Sequence, residues 1–339
     1  MHSEDFIGRL EAGLRTVMLR WGLSPETRLT LLAVSENVTF RAEDPHSRRD
    51  LVFRVHRPGY HSISEIASEL AWLAALRKDD VVDTLTPVLQ TDGGLIADID
   101  DDGTLRYVTA FKFLPGREPD EGTDLTSWFQ ELGAVSARLH AHARFWTRPR
   151  GFVRKTWNFE TTLGSEPHWG DWRDAPGLTS EGRQVLEETS QLLRELLDAH
   201  GETSATFGLI HADLRLTNLL IDNDRLQVID FDDCGFGWYL YDFAAAISFL
   251  EHEPYVPELL DAWVAGYRSV APLSDDEVAM IPVFIMLRRM LLTAWIASHS
   301  ETPTAQQMGE DYTHGTVALA RAFLAVHDEE LAGEDGTYS

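Results

Sequence analysis

Residues 209–242 read LIHADLRLTNLLIDNDRLQVIDFDDCGFGWYLYD, and this stretch leaves the chain few ways to fold. A short apolar run, Leu209-Ile210, ends at His211-Ala212-Asp213. Asn218 follows Asp213 by five residues and opens the apolar Leu219-Leu220-Ile221. The turn formers Asp222-Asn223-Asp224 then lead into Leu226-Gln227-Val228-Ile229, which runs directly into Asp230-Phe231-Asp232-Asp233. The pattern predicts strand, tight loop, strand, turn, strand, with carboxylates and an amide at the loop and strand ends.

That inventory suits phosphoryl transfer, where catalysis is mostly positioning and charge compensation around a loose, highly charged transition state. One carboxylate accepts a hydrogen bond from the attacking hydroxyl. An amide and a second carboxylate hold Mg2+, a hard ion that takes oxygen ligands. Asp213, Asn218 and Asp230 match in kind, order and spacing. A solvated turn accounts for Asp and Asn as turn formers, but not for carboxylates that directly follow apolar strands.

The pattern H-x-D-x-x-x-x-N, followed by a strand and D-F-D, resembles the catalytic core of the aminoglycoside phosphotransferase and choline kinase family. Within it, the chain is similar to the branch holding homoserine kinase-like and stress-response-kinase-like enzymes. Ala212 and Asp232 stand where protein kinases usually carry arginine and glycine. The resemblance implies an α+β, protein-kinase-like two-lobed fold. Residues 1–113 would form a small antiparallel-sheet N-lobe that binds nucleotide, with a hinge near 111–115. Residues 114–339 would form a larger, mainly helical C-lobe for catalysis and acceptor binding. It also implies roles: Asp213 orients the acceptor hydroxyl, Arg215 meets the γ-phosphate, Asn218 and Asp230 bind Mg2+, and Asp232 is a secondary metal contact. His211 would brace the loop, and Asp242 resembles the acid that holds the loop backbone.

Nearer the N-terminus, residues from Ser3 to Trp21 carry Phe6, Leu10, Leu14, Val17 and Met18 at helical spacing. Residues 30–34 and 38–42 read as a hairpin whose tip, Ser35-Glu36-Asn37, lacks glycine, the residue that lets backbone approach phosphate most closely. In the resembled family this hairpin covers the nucleotide phosphates, which makes Ser35 and Asn37 candidates. Residues 51–56 form the strand that carries a phosphate-binding lysine in kinases; here Arg54 takes that place and Arg57 is a second candidate. Residues 62–77 form a helix with a Ser62–Glu65 capping box. Glu69, beside its apolar stripe, is the partner of Arg54 that the resemblance to kinases implies, and Glu65 the alternative. Residues 81–97 suggest strands separated by turns, and 98–103, DIDDDG, a hairpin turn. Residues 107–114 form the last strand; in the resembled fold the segment holding Phe111 and Phe113 reads the adenine edge through its backbone.

Residues 125–142 predict a packing helix, on which His140 and His142 do not share a face and so make no metal pair. Residues 145–177 are rich in Trp, Pro and Gly; Trp157, Trp169 and Trp172, with Glu166 and Asp171, either line an acceptor pocket or plug a loop onto the core. The C-terminal part, from 257, reads as helices. Only a few residues separate Asp233 from the helix near Asp242, leaving no room for a long activation segment, and there is no A-P-E motif.

A net charge of −26 disfavours nucleic acid and anionic membranes, and favours cationic acceptors by steering. The single cysteine, Cys234, excludes intramolecular disulfides. No signal peptide is read at the N-terminus and no apolar run long enough to span a bilayer, so the expected compartment is the cytoplasm. The reading is an ATP- and Mg2+-dependent phosphotransferase acting on a hydroxyl of a small polar acceptor: an amino alcohol, amino acid or aminoglycoside. The alternatives are a Ser/Thr protein kinase of the stress-response type and a non-catalytic nucleotide-binding scaffold.

Overall fold

The computed structural model describes residues 4–35, 37–120 and 122–335, so Ser3 as a helix start and Glu36 at the hairpin tip lie outside the described residues. Chain contacts divide it into two compact units.

The first unit comprises Met1–Pro119, Phe145–Lys155 and Thr217–Cys234. Two excursions from later in the sequence therefore join the segment expected to form the N-lobe. Its five-stranded antiparallel sheet holds β1 (Arg28–Val34), β2 (Val38–Glu43), β3 (Asp50–Val55), β4 (Ile96–Asp101) and β5 (Thr104–Lys112), in the order β1-β2-β3-β5-β4. The alternation of β2 and β3 buries Val38, Phe40, Leu51, Phe53 and Val55. Helix α1 (Glu4–Val17) closes one face with Leu10, Leu14 and Val17. Helix α2 (Ile63–Lys78) starts at the Ser62–Glu65 capping box that its sequence predicts.

Three expectations are corrected here. Residues 81–95 form no strands, only single bridges at Thr84 and Pro87, because Pro87 lacks a donor and Gly93-Gly94 break the run. The DIDDDG turn is tighter than expected: Asp98–Asp101 belong to β4, Asp102 and Gly103 make the turn at positive φ, and Asp101 is tied to Arg9 and Arg106 at 2.8 Å each. The last strand runs over Thr104–Lys112 rather than from 107 to 114.

The second unit comprises Asp120–Arg144, Thr156–Leu216 and Gly235–Ser339. Its helices are α3 (Thr126–Phe145), α4 (Phe159–Thr162), α5 (Ser180–His200), α6 (Tyr241–Ala246), α7 (Val256–Arg268), α8 (Asp275–Ala279), α9 (Ile281–Ser298) and α10 (Pro303–Asp335), the last kinked at Gly309. A small sheet sets β10 (Gly235–Trp238) between β6 (Thr156–Trp157) and β7 (Phe207–Ile210). Helices α3 and α7 cross at Gly133 and Gly266. A Cβ on either would sit 2.0 Å or less from the other helix's backbone oxygens at Trp263 and Gln130, so only glycine permits this approach. Trp157, Trp169 and Trp172 are buried, as the packing reading of this tract expects.

Residues Asp275–Ser298 are long and apolar enough to cross a membrane, contrary to the expectation that no such run exists. Yet 72% of its apolar 18-residue window is buried, and Arg288 and Arg289, in the middle of α9, are sealed into the second unit. It is a core helix whose apolar surface is already covered by protein.

Candidate active site

In the first unit, the hairpin of β8 (Leu219–Asp222) and β9 (Arg225–Val228) sets the candidate metal ligands side by side. Leu219 pairs with Val228, and Ile229 N–H donates to the Asn218 carbonyl at 2.9 Å. Strand pairing thus brings Asn218 next to Ile229 and Asp230, although eleven residues intervene between the ligands. Asp230 has φ 58, a left-handed conformation that Asp tolerates better than bulkier residues. Its carboxylate is 39% exposed.

Arg54, on β3, occupies the centre of this unit's charged cluster. It donates to Glu69 Oε1 at 2.7 Å and to Asp230 Oδ1 at 2.9 Å, and lies 3.5 Å from Asp232 Oδ1. The sequence expectation that Glu69 rather than Glu65 meets Arg54 is what the structure shows; Glu65 caps the helix. Burial works against the charge on Arg54, but Glu69, Asp230 and Asp232 outweigh it and raise its pKa above the ordinary value.

Asp232 is placed differently from Asp230. It is 6% exposed, accepts from Asn37 Nδ2 at 2.9 Å, and is flanked by His61 Nε2 at 3.5 Å and His56 Nδ1 at 3.6 Å. Burial opposes its ionisation, but His61, Arg54 and His56 together hold the carboxyl well below the usual range. Its surroundings are those of an anchor. Asn37 also accepts from the Arg57 amide at 3.1 Å, so its side chain fastens the β1–β2 tip inward. Ser35 N–H donates to the Asn37 carbonyl at 3.0 Å. Phe111 is buried with Arg54 5.2 Å from its ring centre, and Phe113 carries Arg41 at 3.9 Å. The Phe113 amide donates to the Asp50 carbonyl at 3.0 Å, continuing the β3–β5 ladder past the strand end.

Sequence reasoning missed Arg154. From the 145–155 excursion its guanidinium donates to the carbonyls of Cys234 at 2.6 Å and Glu65 at 2.9 Å, and to that of Asp232. One buried cation thereby ties the first turn of α2 to the D-F-D-D-C run. Burial raises the adjacent Cys234 thiol to about 12, so it is an inert, neutral side chain.

In the second unit, the loop after β7 presents Asp213. Ala212 has φ 68, and its amide donates to Asp242 Oδ1 at 2.7 Å, while the His211 amide donates to Asp242 Oδ2 at 3.2 Å. Asp242 also meets His140 Nε2 at 3.0 Å, and His140 Nδ1 meets the Tyr267 hydroxyl at 3.2 Å. The glycine crossing of α3 and α7 brings these last two together. Asp213 Oδ2 accepts from Arg215 Nε at 3.1 Å and Oδ1 from Arg288 Nη2 at 2.6 Å. Burial works against its charge, and the two arginines outweigh burial and hold it below the ordinary carboxylate range. Arg288 went unnoticed in the sequence; its signal was a pair of arginines inside an apolar helix, where a charge must have a partner.

Among the described residues, no group of three or more His, Cys, Asp or Glu side chains is arranged to hold a metal ion. Hard oxygen donors on Asn218 and Asp230 nonetheless fit Mg2+, which is usually bound by one or two protein oxygens together with phosphates and water.

The antiparallel five-stranded sheet, followed by a mainly helical part, is the kinase-like fold. The model of the phosphotransferase enzyme family (APH) matches residues 29–278, and the chain belongs to that family. It is a small-molecule kinase that uses ATP to phosphorylate hydroxyl-bearing compounds. It is similar to a microcompartment-associated aminopropanol kinase of known structure: 43% identity, TM-score 0.85, covering 92% of this chain and 97% of that one. An amicoumacin kinase structure with AMP-PNP, Ca2+ and amicoumacin has 23% identity and a TM-score of 0.77, covering 94% and 96% of the two chains. The homoserine kinase of Gluconobacter oxydans is 32% identical over 158 residues, covering 45% of this chain and 47% of that protein.

Proposed function

We propose that this kinase transfers the γ-phosphate of ATP to the hydroxyl of a small amino alcohol, with Mg2+ as its metal. The observation that carries the acceptor class is the 43% identity over nearly the whole chain to an aminopropanol kinase. The acidic surface supports it, since a net charge of −26 steers an ammonium-bearing acceptor inward. A cytoplasmic setting, where ATP and Mg2+ occur together, completes the proposal.

Asp213 accepts a hydrogen bond from the acceptor hydroxyl and aims its oxygen at the γ-phosphorus. The new O–P bond forms as the bond from Pγ to the β–γ bridging oxygen breaks. ADP leaves with that electron pair, and the hydroxyl proton passes to Asp213 late and then to solvent. A carboxylate held ionised by two arginines is a weak base, which suits a proton that moves late. Arg215 compensates charge on the γ-phosphate, and Arg54 on the α and β phosphates. Bound at Asn218 and Asp230, Mg2+ would neutralise phosphate charge.

The test is ADP release from Mg-ATP with amino alcohols, amino acids, aminoglycosides and a generic protein substrate in parallel. The highest kcat/KM is expected for a short amino alcohol. A preference for an amino acid, an aminoglycoside or protein would overturn the acceptor assignment.

A further inference from the structure

Arg288 lies in the middle of α9 with its side chain 2% exposed, and its guanidinium has partners on three segments of the second unit. Nε donates to Ser248 Oγ at 3.0 Å, Nη1 to the Tyr241 hydroxyl at 3.1 Å and towards the Ala212 carbonyl at 3.4 Å, and Nη2 to Asp213 Oδ1 at 2.6 Å. Arg215, by contrast, is 35% exposed and makes a longer contact of 3.1 Å with the other oxygen.

We propose that Arg288 is a positioning residue that fixes one oxygen of Asp213 and so dedicates the other to the acceptor. The argument concerns rotation. A free carboxylate turns about its terminal torsion and presents either oxygen, because such torsions are broad and two-fold. The planar fork of Arg288, itself braced by Ser248 and Tyr241, removes that freedom. Oδ1 faces the buried guanidinium, which leaves Oδ2, on the side of the half-exposed Arg215, for the incoming hydroxyl. The same fork steadies Ala212, whose left-handed backbone is held at its amide by Asp242. Tyr241 and Asp242, consecutive at the start of α6, thus serve opposite sides of one loop: the first braces the cation on the carboxylate, the second receives the amides. Misplacing a reacting group by about 1 Å can cost about a hundredfold in rate, so the clamp belongs to rate rather than to nucleotide affinity.

The inference rests on Asp213 being the acceptor-orienting carboxylate, and the experiment separates the two. With an accepted amino alcohol, steady-state constants are measured for the parent, Asp213→Asn, Arg288→Met, Arg288→Lys, Ser248→Ala and the double variant Asp213→Asn/Arg288→Met. Arg288→Met is expected to lower kcat about a hundredfold with KM for ATP changed less than about twofold, and Arg288→Lys to recover about tenfold of that loss. The acidic limb of its kcat–pH profile should move up, since a charge that favoured the carboxylate is gone. In the Asp213→Asn background, adding Arg288→Met should change the residual rate less than about twofold, because a residue acting through Asp213 has nothing left to act on. An equal loss in both backgrounds, or a folded Arg288→Met with near-parent kcat, overturns the inference. Should Arg288→Met not fold, Arg288→Lys and Ser248→Ala decide: kcat lowered severalfold at constant KM supports the clamp, and parent-like kcat in both rejects it. Full turnover by Asp213→Asn would remove the role of Asp213 itself, and the inference with it.

Discussion

The Arg54 guanidinium joins Glu69 at 2.7 Å while its second nitrogen holds Asp230 at 2.9 Å. Fifteen residues separate the first pair and 176 the second, so one cation on β3 links helix α2 to the strand end that carries the candidate metal ligand. A compact ammonium spans these two carboxylates less well than a planar fork. Arg54→Lys is therefore expected to raise KM for ATP about tenfold, or about 1.4 kcal/mol, read in an ATP titration at saturating acceptor. Arg54→Met leaves Glu69 buried and unpaired, and should cost about 3–5 kcal/mol of stability in denaturant unfolding.

Asp230 and Asp232 stand two residues apart in unlike surroundings, one 39% exposed and the other 6%. Asp230→Ala should weaken Mg-nucleotide binding at least about tenfold in calorimetric titration, with a small change in Tm. Asp232→Asn should do the reverse: nucleotide binding near parent and a Tm lower by several degrees, because Arg54, His56 and His61 lose the charge they surround. Equal effects of the two substitutions on metal binding would return Asp232 to the metal site.

Arg154 gives its hydrogen bonds to three backbone carbonyls, which no other side chain of similar size can satisfy together. Arg154→Met should destabilise by about 3 kcal/mol or more, since each buried carbonyl left unpaired costs about 1–3 kcal/mol. Hydrogen exchange should rise together at the start of α2 and around residues 232–234, which a local defect confined to one of them would not produce.

His140 gives a pH signature. Its pKa is lowered from the ordinary 6.5 by burial, which the hydrogen bond and charge of Asp242 only partly oppose. The unfolded chain then binds the proton more tightly than the folded one, so this contribution is present above about pH 6.5 and is lost as pH falls below it. His140→Gln should lower Tm at pH 7.5, where the links to Asp242 and Tyr267 are lost, yet flatten the fall in Tm between pH 7 and 5. A parent-like slope in the variant would assign the acid sensitivity to other groups.

The first three strands of the first sheet and the capping box of α2 are legible because each depends on neighbours in sequence or on a two- or 3.6-residue period, whereas the Arg54–Glu69 pair is legible only through the resemblance to kinases. The partners of Arg154 and Arg288 were not, because periodicity says which face of an element is buried and nothing about what meets it. Arg288 reaches Asp213 across 75 residues and Arg154 reaches Cys234 across 80. The 145–177 tract looked like one excursion; the structure divides it between the two units after Lys155, a break its uniform Trp, Pro and Gly content conceals. Asn37 was assigned by its place at a hairpin tip, and only the inward turn of its side chain shows what it grips.

The β8–β9 hairpin separates two kinds of distance. Asn218 and Asp230 are neighbours through the ladder at its feet, while its tip, Asn223-Asp224, turns at φ 48 and 60 with the side chains directed to solvent. Chain length at the tip is therefore decoupled from ligand spacing at the base. A short epitope or a fluorophore-bearing loop grafted between Asn223 and Asp224 would ride on the enzyme as a passenger, reporting on this hairpin without reaching the chemistry beneath it.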